Sequence, residues 1–372
     1  MYKIYISIIC LIISILSAAP VNRNGTTSMN FLEIDIGSAG SALGGAYVSV
    51  VDDATACFWN PAGLTNSLKN NLIFMHEPWL VDTDHYFIAT SANLGKSGYL
   101  GVALNYMNYG EEEVTTVSDP DVTGEFYSAN EYSLSISYAK RIVNWFSFGA
   151  SLKYLSSNIW HLNGSAAAMD LGVIINTKFF GKEDDRNTGM RIGMSISNFG
   201  TQIKYDGIDL LNSIDISEDY GNFENVPGQY KMSSWELPLI FRIGASVAPL
   251  NNSFRKLQLS ADMLHPNNNA ESINLGIEYT EKFRNVSEIY FRLGTKIITN
   301  TIVTNEIVYE DESGEEVTEV IEDEVKLSEL ENTFGGGLKL RIQGFSTLKI
   351  DYCYKNIGIL GNIHLYTIGV EF

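Results

Sequence analysis

From Asn70 onward apolar and polar residues alternate with period 2, in segments of about ten residues separated by turn-forming residues. Glu131 to Lys140 carries the pattern clearly, with Tyr132, Leu134, Ile136 and Tyr138 on one face and Ser133, Ser135, Ser137 and Ala139 on the other. The same alternation sets Phe146, Phe148, Ala150, Leu152 and Tyr154 against Ser147, Gly149, Ser151 and Lys153. It sets Ile289, Phe291 and Leu293 against Tyr290, Arg292 and Gly294, and Leu348, Ile350, Tyr352 and Tyr354 against Thr347, Lys349, Asp351 and Cys353. Strands are predicted near 70–77, 85–95, 98–109, 129–140, 146–156, 166–177 and 190–200. A second set follows near 236–248, 255–264, 271–280, 287–298, 332–343, 345–355 and 362–372.

That makes fourteen, an even number as a bacterial single-chain transmembrane barrel requires. A large soluble sandwich also has period 2, but its wet face is normally rich in Lys, Glu and Thr. Here the polar face is rich in Gly, Ser and Ala, which suits a crowded, partly filled lumen, and the apolar face repeatedly ends in an aromatic residue, as an interfacial girdle does. The fold expected is an all-β antiparallel transmembrane barrel preceded by a small plug.

Both ends of the chain agree. Lys3, the apolar run Ile4 to Leu16 and the small residues Ser17, Ala18 and Ala19 read as a signal peptide over residues 1–19, although Pro20 would be an awkward first mature residue. The run is shorter than the roughly 20 residues a spanning helix needs, so any membrane span must be β. At the other end Tyr366, Ile368, Val370 and Phe372 share one face, a pattern similar to the signal read by the barrel-assembly machinery. The partition expected is 1–19 signal peptide, 20–69 plug or hatch, and 70–372 barrel, in the outer membrane and in contact with its lipid and lipopolysaccharide.

The net charge is −19, but its placement matters more. Residues 110–128 hold six acids and no base, 201–235 six acids and two bases, and 299–331 twelve acids and one base, so these windows together carry −21. They follow the third, seventh and eleventh strands, which puts all three on the side of long external loops, opposite mostly short turns. Such acidity excludes nucleic acid as a partner. The window with Glu310, Asp311, Glu312, Glu315 and Glu316 lacks EF-hand spacing. A solvated, hairpin-like extension is expected of it, with divalent cations shared with lipopolysaccharide as the alternative.

Chemistry-bearing motifs are sparse. The glycine run contains neither a dinucleotide fingerprint nor a P-loop lysine. His76, His85, His161, His265 and His364 show no metal-ligand spacing, and Cys57 and Cys353 read as isolated buried thiols. No catalytic residue, metal or cofactor is assigned. The lumen-assigned face does carry a basic cluster, namely Arg191, Arg242, Arg292, Lys339 and Arg341.

Residues 31–66 break the alternation. Gly37, Gly40, Gly44 and Gly45 permit tight packing or positive φ, and Asn60-Pro61 reads as a helix cap followed by proline at the first helical position. The pieces Phe31-Leu32, Ala42-Leu43-Gly44-Gly45-Ala46-Tyr47-Val48, Asp52-Asp53-Ala54 and Trp59-Asn60-Pro61-Ala62-Gly63-Leu64 resemble the N-terminal signature of the PorV/PorQ family, itself similar to the FadL fatty-acid transporter. Asp262 to Asn269 also resembles the family, with Asn268 standing where an acid would be expected. The resemblance implies a fourteen-stranded barrel with an internal hatch. Asn60, Pro61, Ala62 and Gly63 would lie in the hatch, and Asp52 and Asp53 would meet the lumen arginines or cap a short helix. It implies a part in type IX secretion or surface assembly, with secreted protein as cargo. A FadL-like path for a hydrophobic small molecule and a porin-like barrel are the alternatives. Acidic outer loops would repel fatty-acid anions within a Debye length of about 8 Å, which favours protein or neutral cargo.

Overall fold

A computed structural model of the chain describes residues 23 and 25–372, apart from 68, 118–119, 121–122, 182–185, 187, 215–225, 284–286, 299–300, 311–315, 326–330 and 343–345. The expected signal peptide lies outside the described residues, as do parts of all three acidic windows. The first seven strands are β1 (Asn71–Pro78), β2 (Asp84–Asn93), β3 (Tyr99–Glu113), β4 (Phe126–Val143), β5 (Phe146–Ile159), β6 (Leu162–Asn176) and β7 (Arg191–Gly200). They are followed by β8 (Ile240–Asn251), β9 (Arg255–Pro266), β10 (Ser272–Phe283), β11 (Ser287–Ile298), β12 (Glu331–Arg341), β13 (Thr347–Asn356) and β14 (Asn362–Glu371). Each pairs antiparallel with its sequence neighbours, and β1 pairs with β14, so the sheet closes into a fourteen-stranded barrel.

The alternation read from the sequence is the inside and outside of this wall. Leu72, Phe74, Ile136, Leu152, Ile277, Phe291, Leu293 and Ile368 are exposed on the outer face, while Ser137, Ser151, Ser195 and Ser260 are buried facing in. Apolar side chains pointing away from the interior fit a wall solvated by lipid. An aromatic row crosses six adjacent strands in register, Tyr352–Tyr366–His76–Tyr86–Tyr106–Tyr132. It lies toward the long-loop rim, where amphipathic rings suit the lipid interface. Phe372 and Tyr366 are exposed on the same outer face. No helix among the described residues is long and apolar enough to cross a membrane.

Strands β3 to β6 run longer than the alternation suggests, with 15, 18, 14 and 15 residues. Residues 157–165, expected as a connection, are mostly strand: Ser157 pairs with Gly164 and Asn158 with Asn163 around a tight turn at Trp160-His161. Beyond the lipid belt backbone hydrogen bonds sustain the ladder without an apolar face to announce it. Two hairpins stand on the long-loop rim, Leu211–Ile214 with Val226–Gln229, and Thr301–Glu310 with Glu316–Val325 inside the third acidic window.

Candidate functional site: the plug and the lumen it divides

The described chain begins at the long-loop rim, crosses the lumen and reaches the opposite rim at Asn70, whose backbone exchanges hydrogen bonds with Phe372 at 3.1 and 2.9 Å. At the start, Ser28 N–H donates to the Glu236 carbonyl at 3.0 Å and the Ser28 hydroxyl meets Tyr205 Oη at 2.8 Å. Met29, Phe31 and Leu32 insert among Met107, Leu155, Ala166, Ile203, Tyr205 and Leu237. The turn after β9 clamps this segment: Asn268 Nδ2 donates to Thr27 Oγ1 at 2.7 Å and to Glu33 Oε1 at 2.5 Å. Burial raises the Glu33 carboxyl above the usual carboxylate range, and the Asn268 bond pulls it partly back. An acid at 268 would lack this donor and repel Glu33.

Two short helices, α1 (Ser38–Ala42) and α2 (Ala56–Trp59), and a 3-10 turn over Pro61–Asn66 form the waist of the plug. Trp59 is its centre. The indole donates Nε1–H to the Ile36 carbonyl at 2.9 Å, meets Tyr47 and Phe58 edge-on, and leaves so little room that an added Cβ at Gly40 would lie 2.8 Å from its ring. Asn60, fully buried, caps the 3-10 turn by accepting from Ala62 N–H at 3.1 Å. Its amide also donates to the carbonyls of Val48 at 2.9 Å and of Val173 on β6 at 3.1 Å. Pro61 follows where no N–H is needed.

The plug touches the wall all round. Ser38 bonds Thr367 on β14, Val48 N–H donates to Asp262 on β9, Ala54 N–H to Asn71 on β1, and Thr65 Oγ to Ser147 on β5, at 2.7–2.9 Å. Between these points lumen-facing glycines let backbone meet backbone. Gly149–Gly172, Gly193–Gly244 and Gly276–Gly294 are directly opposed pairs on neighbouring strands. An added Cβ at Gly172 would lie 2.1 Å from Asn60 Oδ1, and one at Gly294 would lie 2.1 Å from Gly44 N. Gly44 and Gly45 have φ of +65° and +80°, so the plug backbone turns against β11 in a conformation that side chains disfavour. Gly63 is just as confined, 2.4 Å from Val51 Cγ1 to an added Cβ.

Below the waist, toward the short-turn rim, lie two adjoining cavities of about 520 and 310 Å³. Arg191, Arg292, Lys339 and Arg341 line them, and Asp52 and Asp53 hang from the plug as part of the roof. Arg242 is not with them. It is buried nearer the long-loop end, with its guanidinium 5.4 Å from the ring centres of both Phe58 and Trp59. Asp53 meets Lys349 Nζ at 3.4 Å rather than an arginine, and its other oxygen accepts from Thr55 N–H at 3.0 Å, so it serves both as wall contact and as local turn former. Arg292 is held between Glu278 at 2.7 Å and Asp351 at 2.6 Å.

Lys349 lies on the face read as lumen from its alternation with Ile350, and that position was the available signal for the Asp53 contact. Lys153 carried the same signal on its lumen face, but its choice of Asp170 at 2.6 Å, and the buried pair His85–Glu77 at 2.9 Å, depend on which strands the closed barrel brings together. Among the described residues no group of three or more His, Cys, Asp or Glu side chains could hold a metal ion. Cys57 and Cys353 are free and buried against one another's surroundings in the plug–wall core. Burial pushes the Cys57 thiol up to about 11.

The model of the family described as "Type IX secretion system protein PorV" matches residues 17–224, more than half of the chain. No curated protein matches. Among solved structures the chain is similar to the CymD monoaromatic hydrocarbon channel, with 9% identity, a TM-score of 0.54, and 90% of this chain and 96% of that one covered. A FadL homologue from Pseudomonas aeruginosa gives 9% identity and a TM-score of 0.52 over 90% and 97%. The toluene transporter TbuX of Ralstonia pickettii gives 11% and 0.50 over 90% and 97%. At these identities the likeness is one of fold: a plugged barrel of the FadL type.

Proposed function

The chain belongs to the PorV family of outer-membrane barrels, and from that membership we propose that it supports protein secretion or surface assembly of the type IX kind, working as a plugged barrel whose rims, rather than an open lumen, meet its partners. The observation that carries this reading is the fit of the plug backbone against paired wall glycines, with polar bonds to β1, β5, β6, β9 and β14. Closely packed interiors leave no path for free diffusion, which speaks against a porin-like role. Secreted protein would dock at the long-loop rim, where Ile208, Leu211 and Tyr230 are exposed. The test is co-purification from the outer membrane. Recovery of a secreted protein's C-terminal domain on the barrel supports the reading, and a barrel that never carries secreted protein while its deletion leaves surface proteins in place refutes it.

A second reading, passage of a hydrophobic compound, is favoured by one observation. The long-loop half of the lumen contains an apolar cluster set among buried polar groups, and Met29, Phe31 and Leu32 fill it as a ligand would. Under that reading purified protein carries lipid in this half, and deletion of residues 31–66 raises conductance in planar bilayers without loss of the barrel.

A further inference from the structure

We propose that the compartment beneath the plug, open toward the short-turn rim, binds a small, multiply charged oxyanion through Arg141, Arg191, Lys256 and Arg341. Its two cavities share Val50, Asp52, Asn66, Lys256 and Gln258, so they form one space with the plug as its closed end. In a chain of net charge −19, nine basic and five acidic side chains line this space. The described parts of the three acidic windows stand on the opposite rim.

Most of the acids are already engaged. Glu278 holds Arg292, Glu371 holds Lys339 at 2.7 Å, Asp53 holds Lys349, and Glu288 stands opposite Lys282 in the β10–β11 register. Of the lining acids Asp52 then remains for the four cations named. Arg141 donates to the Thr65 carbonyl at 2.8 Å and Arg191 to Asn176 Oδ1 at 3.2 Å, both neutral acceptors. Lys256 faces Asn251 and Thr280 across its two ladders, and Arg341 faces Thr347. Arg141 and Arg341 are exposed and Arg191 and Lys256 half-buried, and like charges gathered in such a recess repel more strongly than on an open surface. An anion with several oxygens relieves that repulsion and accepts charge-assisted bonds, with guanidinium forks suited to phosphate and carboxylate. Gln258 and Asn66 add neutral hydrogen-bonding groups. The volume suits a small molecule, and the plug makes the site a terminus, not a constriction on a path. Organic phosphates or polycarboxylates from the periplasm and the phosphates of lipid headgroups share this chemistry.

Titration calorimetry of the full-length detergent-solubilised protein with pyrophosphate, and separately with citrate, tests the site at low ionic strength. Saturable binding is expected, weakened roughly tenfold or more by Arg191→Gln and by Lys256→Gln, each removing a charged bond. Lys256→Arg should retain affinity, and Lys231→Gln on the long-loop rim should leave it unchanged. Heat-modifiable electrophoretic mobility verifies that each variant is a folded barrel. Weaker pyrophosphate binding in phosphatidylglycerol than in phosphatidylcholine nanodiscs identifies a headgroup as the occupant, and equal affinity identifies a soluble anion. Absence of saturable binding, or binding indifferent to both Arg191→Gln and Lys256→Gln, overturns the proposal.

Discussion

Replacing Asn60 tests how firmly the plug is held. In Asn60→Ala the Ala62 N–H loses its cap, and the Val48 and Val173 carbonyls lose the donor at 2.9 and 3.1 Å. A lost cap costs about 1 kcal/mol and a buried carbonyl stripped of its donor about 1–3 kcal/mol. With two carbonyls affected, docking should therefore weaken by about 3–7 kcal/mol, a roughly 10²- to 10⁵-fold rise in the undocked fraction. Asn60→Asp should be worse: it keeps the cap acceptor but turns the amide donor into an oxygen facing two carbonyls in a site with no solvent exposure. Cys57 provides the assay. Its thiol is 1% exposed, and an added Cβ on Gly101 of β3 would lie 2.5 Å from its sulfur, so it can react only when the plug leaves the wall. Maleimide labelling in a Cys353→Ser background, corrected by the Cys57→Ser control, should speed up in the order wild type, Ala, Asp. Equal rates in all three, with the barrel intact, would refute the claim that Asn60 ties plug to wall.

The remaining expectations concern the wall. Gly294→Ala puts a methyl 2.1 Å from the Gly44 nitrogen, where no flexible side chain can yield, and should raise Cys57 labelling or abolish assembly. Gly336→Ala, with 3.5 Å to the nearest atom, should behave as wild type in both measurements. Arg292→Leu leaves the half-buried Glu278 without its partner and Asp351 with only Lys349 at 3.6 Å, and should destabilise by about 3 kcal/mol, read as a lower thermal midpoint of heat-modifiable mobility. A change within experimental error there would show that water in the adjoining cavity suffices to solvate both acids.

The barrel was legible in the sequence because every strand obeys one rule. Side chains such as Leu134 and Ile136 face lipid while Ser133 and Ser135 face in, and each ten-residue stretch repeats that message without knowledge of its neighbours. Asn60-Pro61 was legible for a similar reason, since a cap and its proline act within three residues. Asp53 was half legible: its turn with Thr55 is local, but its choice of Lys349 over an arginine depends on which of several inward cations the closed barrel brings within reach. The separation of Arg242 from the other lumen bases likewise follows from height along the strand, which alternation does not encode. Asn268 shows the limit from the other side. In the sequence it is only a departure from an expected acid, whereas in three dimensions its amide is the donor that fastens Thr27 and Glu33.

The seam between β1 and β14 has a consequence for biogenesis. Ser38 reaches Thr367, 329 positions further along the chain, and Asn70 meets Phe372. The plug precedes every strand in the chain, yet its partners are spread over the wall from first strand to last. Contacts so remote in sequence form late and slowly. The nascent sheet must therefore curl around a segment already waiting inside it, and zipping the last strand onto the first is the step that imprisons it. In this sense the plug is a mandrel: the glycines mark where the wall meets it, and a barrel closed ahead of its plug could take it in only by threading the segment through an open rim.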